Sequence, residues 1–201
     1  YKRQMSYHVL SEEETPGKFN AKHIQLQNII ANISLKALSK DSVNLGIKRL
    51  SLDEKMSGFS LKKMSLKLVA NNNQTSIDNF AIELPETSLK MDTIHLVYDS
   101  LQAFEHFAEE VHFSFRTLPS QITLKDISPF VPVLSHFKEP ITLDMEVKGT
   151  VDQLNCSHLE IVSEEQQFRL RGDVSLQDLS HPQDAYVYCL LYTSPSPRDA
   201  H

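Results

Sequence analysis

The residues densest in potential chemistry are His106, Glu109, Glu110 and His112. Imidazole and carboxylate groups are what a zinc or iron site is built from. On a helix, however, His106 and Glu110 share a face and His112 does not, so the four read as a surface charge cluster. Glu12, Glu13 and Glu14, ahead of Pro16-Gly17, read the same way, as a solvated loop. General acid–base chemistry needs two carboxylates held together in a cleft, and no spacing singles out such a pair. G-x-S-x-G, phosphate-loop, dinucleotide and H-E-x-x-H signatures are all absent from the sequence. No catalytic residue, metal or cofactor is assigned, and enzymatic activity is not expected.

What the chain does hold at regular spacing is apolar side chains. Between Leu50 and Tyr98, Phe59 and Leu61 alternate, Lys62-Lys63 break step, and Met64, Leu66 and Leu68 resume. Ile77 is followed by two polar residues and then Phe80, Ile82 and Leu84. Leu89 and Met91 alternate, Asp92-Thr93 break step, and Ile94, Leu96 and Tyr98 resume. Val43, Leu45 and Ile47 do the same around Lys48-Arg49, before Leu50 and Leu52. Alternation at period two predicts strands with one apolar and one wet face. Each polar pair must sit at a bulge or bend, because a regular strand would turn its second half inside out. A unit of about ten residues that recurs in this way indicates a repetitive β structure.

The elements that carry this pattern fill most of the chain. A first run covers Ile24, Leu26, Ile29, Ile30, Ile33 and Leu35. Later ones cover Val111, Phe113 and Phe115, then Ile122 and Leu124, then Ile141, Leu143, Met145 and Val147. Leu154, Leu159 and Ile161 follow, then Phe168 and Leu170, Val174 and Leu176, and finally Tyr186 and Tyr188. Ser39–Ser42, Ser57-Gly58 and Asn71-Asn72-Asn73 are turn chemistry, and Pro85 marks a strand end. Ser6–Asn20 reads as a polar connection. Two stretches depart from alternation. Leu101, Phe104 and Ala108 have helical spacing behind Ser100 as a possible cap. Ile127, Phe130, Val131 and Leu134 share a face behind Asp126, with Pro129 and Pro132 tolerable only near a helix start. This second stretch is expected to form a short helix or helical turn, near 127–134, that plugs or covers an end of the sheet.

Both termini carry foreign sequence by this reading. CLLYTSPSPRD, Cys189–Asp199, is the translation of a transposase sequencing adaptor, and YKRQ, Tyr1–Gln4, is what the inverted adaptor encodes. The expected organisation is therefore an adaptor-derived tail over 1–4, a single β-groove segment of a longer protein over 5–188, and a second tail over 189–201. The chain as a whole has net charge −6; without the tails 17 basic and 25 acidic residues give −8. Such an acidic chain, with no basic run, is a poor partner for nucleic acid or an anionic membrane surface. Apolar content of 40% against 23% charged is that of a folded chain. With Cys189 set aside, Cys156 is alone and is expected to be a small buried hydrophobe. No apolar run reaches the roughly 20 residues of a membrane-spanning helix.

The order SGFSLKKMSL, IDNFAIELPETSLKMDTIHLVYDS and SQITLKDISPFVPVL resembles the TamB branch of the AsmA-like proteins of two-membrane bacteria. The run VKGTVDQLNCSHLEIVSEEQQFRLRGDVSLQDL is similar to their repeats, with Gly149 ending one strand, Leu154 leading the next and Gly172 following another. The resemblance covers Lys22 to about Tyr188. It implies an all-β fold: an elongated, curled antiparallel and repetitive sheet forming a groove lined by apolar side chains. It also implies a periplasmic protein, anchored in the inner membrane and contacting an outer-membrane barrel protein through regions outside this sequence. Phospholipid is the implied cargo, and outer-membrane biogenesis and protein assembly or secretion the implied roles. The residues expected to line the groove are Leu66, Leu68, Ile82, Leu84, Ile94, Leu96, Phe113, Phe115, Leu143, Met145 and Val147. The alternative is a structural or adhesive β-repeat stalk in which these residues form a closed dry core.

Overall fold

A computed structural model describes residues 4–8, 16–20, 22–39, 41–163, 169–178 and 186–192. The described strands form one antiparallel sheet of thirteen strands. They are β1 (Met5–His8), β2 (His23–Leu38), β3 (Ser42–Glu54), β4 (Ser60–Asn71), β5 (Gln74–Glu83), β6 (Ser88–Lys90) and β7 (Ile94–Val97). β8 (His112–Arg116), β9 (Ser120–Ile122), β10 (Ile141–Gly149), β11 (Gln153–Ser163), β12 (Arg169–Gln177) and β13 (Tyr186–Tyr192) complete it. The sheet is a meander in which lanes that follow one another along the chain pair, with β6 beside β9 and β7 beside β8 where two lanes are broken. β6 and β7 are two halves of one broken lane, both paired to β5, and β8 and β9 are two halves of the next, both paired to β10. The result is an all-β, curled sheet of eleven lanes.

The polar pairs that interrupt the apolar pattern are where the ladder slips. One extra residue enters β3 at Lys48-Arg49, between the pairs Ile47↔Leu66 and Leu50↔Met64. One enters β4 at Lys62-Lys63, between Leu50↔Met64 and Leu52↔Leu61. Another enters β5 between Ser65↔Ala81 and Lys67↔Asp78, and Asn79 there has φ 53°. Asn28 in β2 (φ 56°) and His158 in β11 (φ 57°) sit at equivalent slips. Left-handed backbone costs a β-branched residue far more than Asn or His, which is why these types occupy the bulges. The slips of β5, β10 and β11 and the breaks at 91–93 and 117–119 face one another from lane to lane. They form a crease across the sheet.

Among the most deeply buried groups are hydroxyls at the breaks and strand ends. Thr117, 1% exposed, donates its N–H to the Met145 carbonyl at 2.9 Å and accepts the Met145 N–H on Oγ1 at 2.8 Å. Thr123, fully buried, donates its N–H to Thr87 Oγ1 at 3.0 Å and its hydroxyl to the Glu86 carbonyl at 3.1 Å. Ser120 Oγ accepts the Lys90 N–H at 2.9 Å. A broken ladder leaves backbone groups without strand partners, and a short side-chain oxygen restores them at little volume.

Each end of the sheet is covered. At one end Leu101–His106 forms a 3-10 helix that runs into an α-helical turn, Phe107–Glu110. It places Ala103 and Val111 against Tyr98 and Leu96, the main apolar cluster among the described residues. Ser100 stands at the cap position but makes no side-chain cap bond. At the other end the connection from β9 to β10 forms two 3-10 turns, Leu124–Ile127 and Pro132–His136. The expected plug is present here, with Pro129 and Pro132 splitting it into two turns. Asp126 does not cap it: its Oδ2 accepts the Glu86 N–H at 2.8 Å. Phe130 seats the plug between Phe19 and Phe59, with ring centroids 4.8 and 5.0 Å away.

The edges also differ from expectation. Ser6–His8, read as part of a polar connection, belong with Met5 to a short edge strand that pairs with His23–Leu26. β13 continues beyond Tyr188 to Tyr192, so Cys189–Tyr192 of the segment read as adaptor translation lie along β12. A continuous apolar run such as YVYCLLY adds to a free edge whatever its origin. The acidic triplet Glu12–Glu14 and Phe168 lie outside the described residues.

Candidate functional site

The apolar residues of successive strands lie opposite one another, so they form rows that cross the sheet. One row is Leu35, Leu45, Leu68, Ile77 and Ile94. The next is Thr75, Leu96, Phe113, Gly149, Leu154 and Leu176. Phe115, Val147, Cys156 and Val174 make a third, and Leu50, Met64, Ile82 and Leu89 a fourth. Leu143 continues the face through Ile161 and Leu170. Directly opposed residues of an antiparallel pair point to the same side. The bulges preserve this face, since each extra residue returns the following apolar side chain to it. Phe113 and Phe115, with centroids 6.2 Å apart and planes 16° apart, display the shared side directly.

This face is not sealed. Leu66, Leu68, Ile82, Ile94, Phe113, Phe115, Leu143 and Met145 are all half-buried. No second sheet exists among the described residues to cover them. Three of the expected lining residues are differently placed. Val147 is only 3% exposed, and Leu84, at 9%, lies past the end of β5 in the turn closed by its N–H to the Thr87 carbonyl. Leu96 packs against the Tyr98, Ala103 and Val111 cluster under the helical cap. These three are buried or engaged by neighbouring elements, and the other eight share the half-open face.

Comparison with protein-family models, curated proteins and solved structures gives no match.

The opposite face carries the charge. Lys67 stands across from Asp78, and a depression of about 530 Å³ around them includes Lys90, Asp92 and Thr93. Further along the crease, Arg116 lies 3.3 Å from Asp144 and His158 Nε2 3.8 Å from the same Oδ2. Lys148 pairs with Glu146, holding its carboxyl below the usual range, and Arg171 and Arg169 do the same for Glu160. Water and salt screen such surface pairs, and they set no reactive geometry. Among the described residues no group of three or more His, Cys, Asp or Glu is placed to hold a metal.

One carboxylate is buried in earnest. Glu54, 2% exposed, accepts the N–H groups of Gln25 (3.0 Å), Met56 (3.1 Å) and Ser57 (2.6 Å) and the Ser57 hydroxyl. Burial pushes its pKa up, but the bonds from Ser57, Gln25 and Met56 outweigh that and leave it below the ordinary value. Every donor comes from a turn or strand start, so Glu54 is a turn clamp. Cys156 is buried within the third row, as its sequence context suggested, and burial followed by the nearby Asp173 pushes its thiol up. Sequence reasoning missed the buried threonines and serines of the breaks. Their signal was a hydroxyl at the junction of each half-strand, as in Thr117 and Ser120.

Proposed function

We propose that this chain is a stretch of a longer periplasmic protein that carries phospholipid along an apolar groove between two membranes. Carriage of this kind supports outer-membrane biogenesis and protein assembly. The full-length protein is inner-membrane anchored and meets an outer-membrane barrel partner. The observation that supports the reading is a single sheet whose apolar side chains align in rows across the lanes yet remain half-buried. The longest row, Thr75 to Leu176, crosses six lanes, which at about 4.8 Å spacing extends roughly 24 Å. Each methylene that moves from water onto such a surface gains about 0.8 kcal/mol. Binding of this sort requires no specific polar contact, and neighbouring positions along a row are energetically alike, so the cargo slides.

The test is extraction of the purified chain with organic solvent and quantification of phospholipid, repeated for Leu66→Glu. Leu66 is half-buried on β4, away from the helical cap. Bound phospholipid in the parent chain, lost in a folded Leu66→Glu variant, is the expected outcome. A stable lipid-free chain instead favours the structural stalk and overturns the carrying role.

A further inference from the structure

The plug between β9 and β10 has an outer side as well as an inner one. Residues 127–137 contain no Asp, Glu, Lys or Arg. Phe130, Val131, Val133 and Phe137 are 47, 45, 64 and 55% exposed. Large apolar side chains gathered on one connection, between the flanking charges Lys125-Asp126 and Lys138-Glu139, are a recognition surface.

The backbone of this connection is suited to an apolar medium. The N–H groups of Ser128, Phe130, Val131, Leu134 and Phe137 donate to carbonyls of Lys125, Ile127, Ile127, Val131 and Leu134. Pro129 and Pro132 have no N–H to satisfy. The Ser135 hydroxyl donates to the Pro132 carbonyl at 2.8 Å, and the Pro129 carbonyl accepts the Phe19 N–H at 2.8 Å. Backbone polar groups that find partners within the protein are what permits entry into a lipid interface. The tip is also held in place, because Phe130 packs on Phe19 and Phe59 at the sheet end.

We infer that the 130–137 connection is a membrane-contacting tip that seats this end of the sheet in the acyl region of a lipid bilayer. The inference rests on the lipid-carrying reading in naming its partner class, and it adds a bilayer contact at the strand ends, alongside the rows. Ile122 and Ile141, which pair at the base of the connection, join the tip to the apolar face. The exposed group at the other end of the sheet, Leu101, Phe104 and Phe107, is unlike it. Exposed Glu105, Glu109 and Glu110 are interleaved with that group within ten residues, and carboxylates resist transfer to hydrocarbon.

The chain has no tryptophan, so Val133→Trp and Leu101→Trp each supply a single reporter in the full chain. With phosphatidylcholine vesicles, Val133→Trp emission is expected to shift to the blue and to be quenched by brominated acyl chains, while Leu101→Trp emission stays put. Co-flotation of a Val133→Asp/Phe137→Asp variant with the same vesicles should fall by roughly tenfold or more. Unchanged Val133→Trp emission overturns the inference, as does a folded double variant that floats like the parent or changes only its self-association. If the double variant fails to fold, the reporter in the otherwise native chain decides. Co-purified phospholipid is measured separately. Its presence with a silent Val133→Trp sinks the tip and leaves carriage standing, and its absence with an inserting Val133→Trp does the reverse.

Discussion

Phe59 and Phe130 meet edge to face with ring centroids 5.0 Å apart. Phe59 immediately precedes β4, and Phe130 belongs to the connection after β9, with β5 and β6 between those strands in the sheet order. The contact therefore fixes the plug across the ends of strands that are not hydrogen-bonded to it. Phe130→Ala removes this contact and the one with Phe19. Because Phe130 is partly exposed, the loss should be about 1–2 kcal/mol. A fall in the urea midpoint at constant slope checks it; a reduced slope would indicate that the plug frays separately.

The turn after β10 makes a sharper demand. Gly149 has φ +128°, and a Cβ built there falls 2.0 Å from the Gln153 carbonyl oxygen. Strain and backbone collision act together in Gly149→Ala, for a loss of at least about 2 kcal/mol. Gly58 has φ +77° but open space around it, so Gly58→Ala should cost only about 1 kcal/mol, the strain alone. Thermal or urea unfolding of the two variants side by side tests the difference. Equal losses would mean that the Gly149 turn relaxes around the methyl group.

Much of this architecture was readable before any coordinates, because a bulge leaves a mark in sequence. Lys48-Arg49, Lys62-Lys63 and Asp92-Thr93 break the alternation where the ladder slips or parts, since only an extra residue keeps Leu50, Met64 and Ile94 on the apolar side. The plug was legible from its apolar face, but its form was not. Pro132 starts a second 3-10 turn there, where the pattern predicts one short helix or helical turn. Which apolar residues stay half-open was also hidden. Leu96 alternates like Leu68, and only the fold of Leu101–Glu110 over it tells them apart. Thr117 and Thr123 gave no hint of complete burial, because hydroxyl residues are usually exposed and these are buried by backbone needs.

Acid should loosen the turn that joins β3 to β4. Glu54 is held below the ordinary glutamate value of 4.5, and Asp53 below 3.8 through bonds from Asn28 and Ser60. A carboxyl with a depressed native value stabilises the fold fully above its unfolded value. That stabilisation disappears as pH falls through the native one. Stability should accordingly be level from neutrality to about pH 5 and decline below it. Glu54→Gln replaces a carboxylate that accepts several donors and should cost about 1–3 kcal/mol at pH 7. It should also flatten the decline. Urea midpoints between pH 7 and 3 for both proteins measure this, and parallel curves would remove Glu54 from the acid response.

The two thiols should differ in kind. Cys156 lies in the row with Val147 and Val174, 7% exposed, and burial together with Asp173 pushes its thiol above the ordinary value. Cys189 sits on the edge strand and is exposed. Only the thiolate attacks a disulfide reagent, and access limits it further. Near neutral pH one thiol per chain should therefore react promptly with Ellman's reagent, and Cys189→Ser should abolish that phase. The second should react only at the rate of opening, and join the fast phase in denaturant. A Cys156 that reacts at once in the native chain would mean that β10, β11 and β12 part readily. The third apolar row would then be open to reagents far more polar than a lipid.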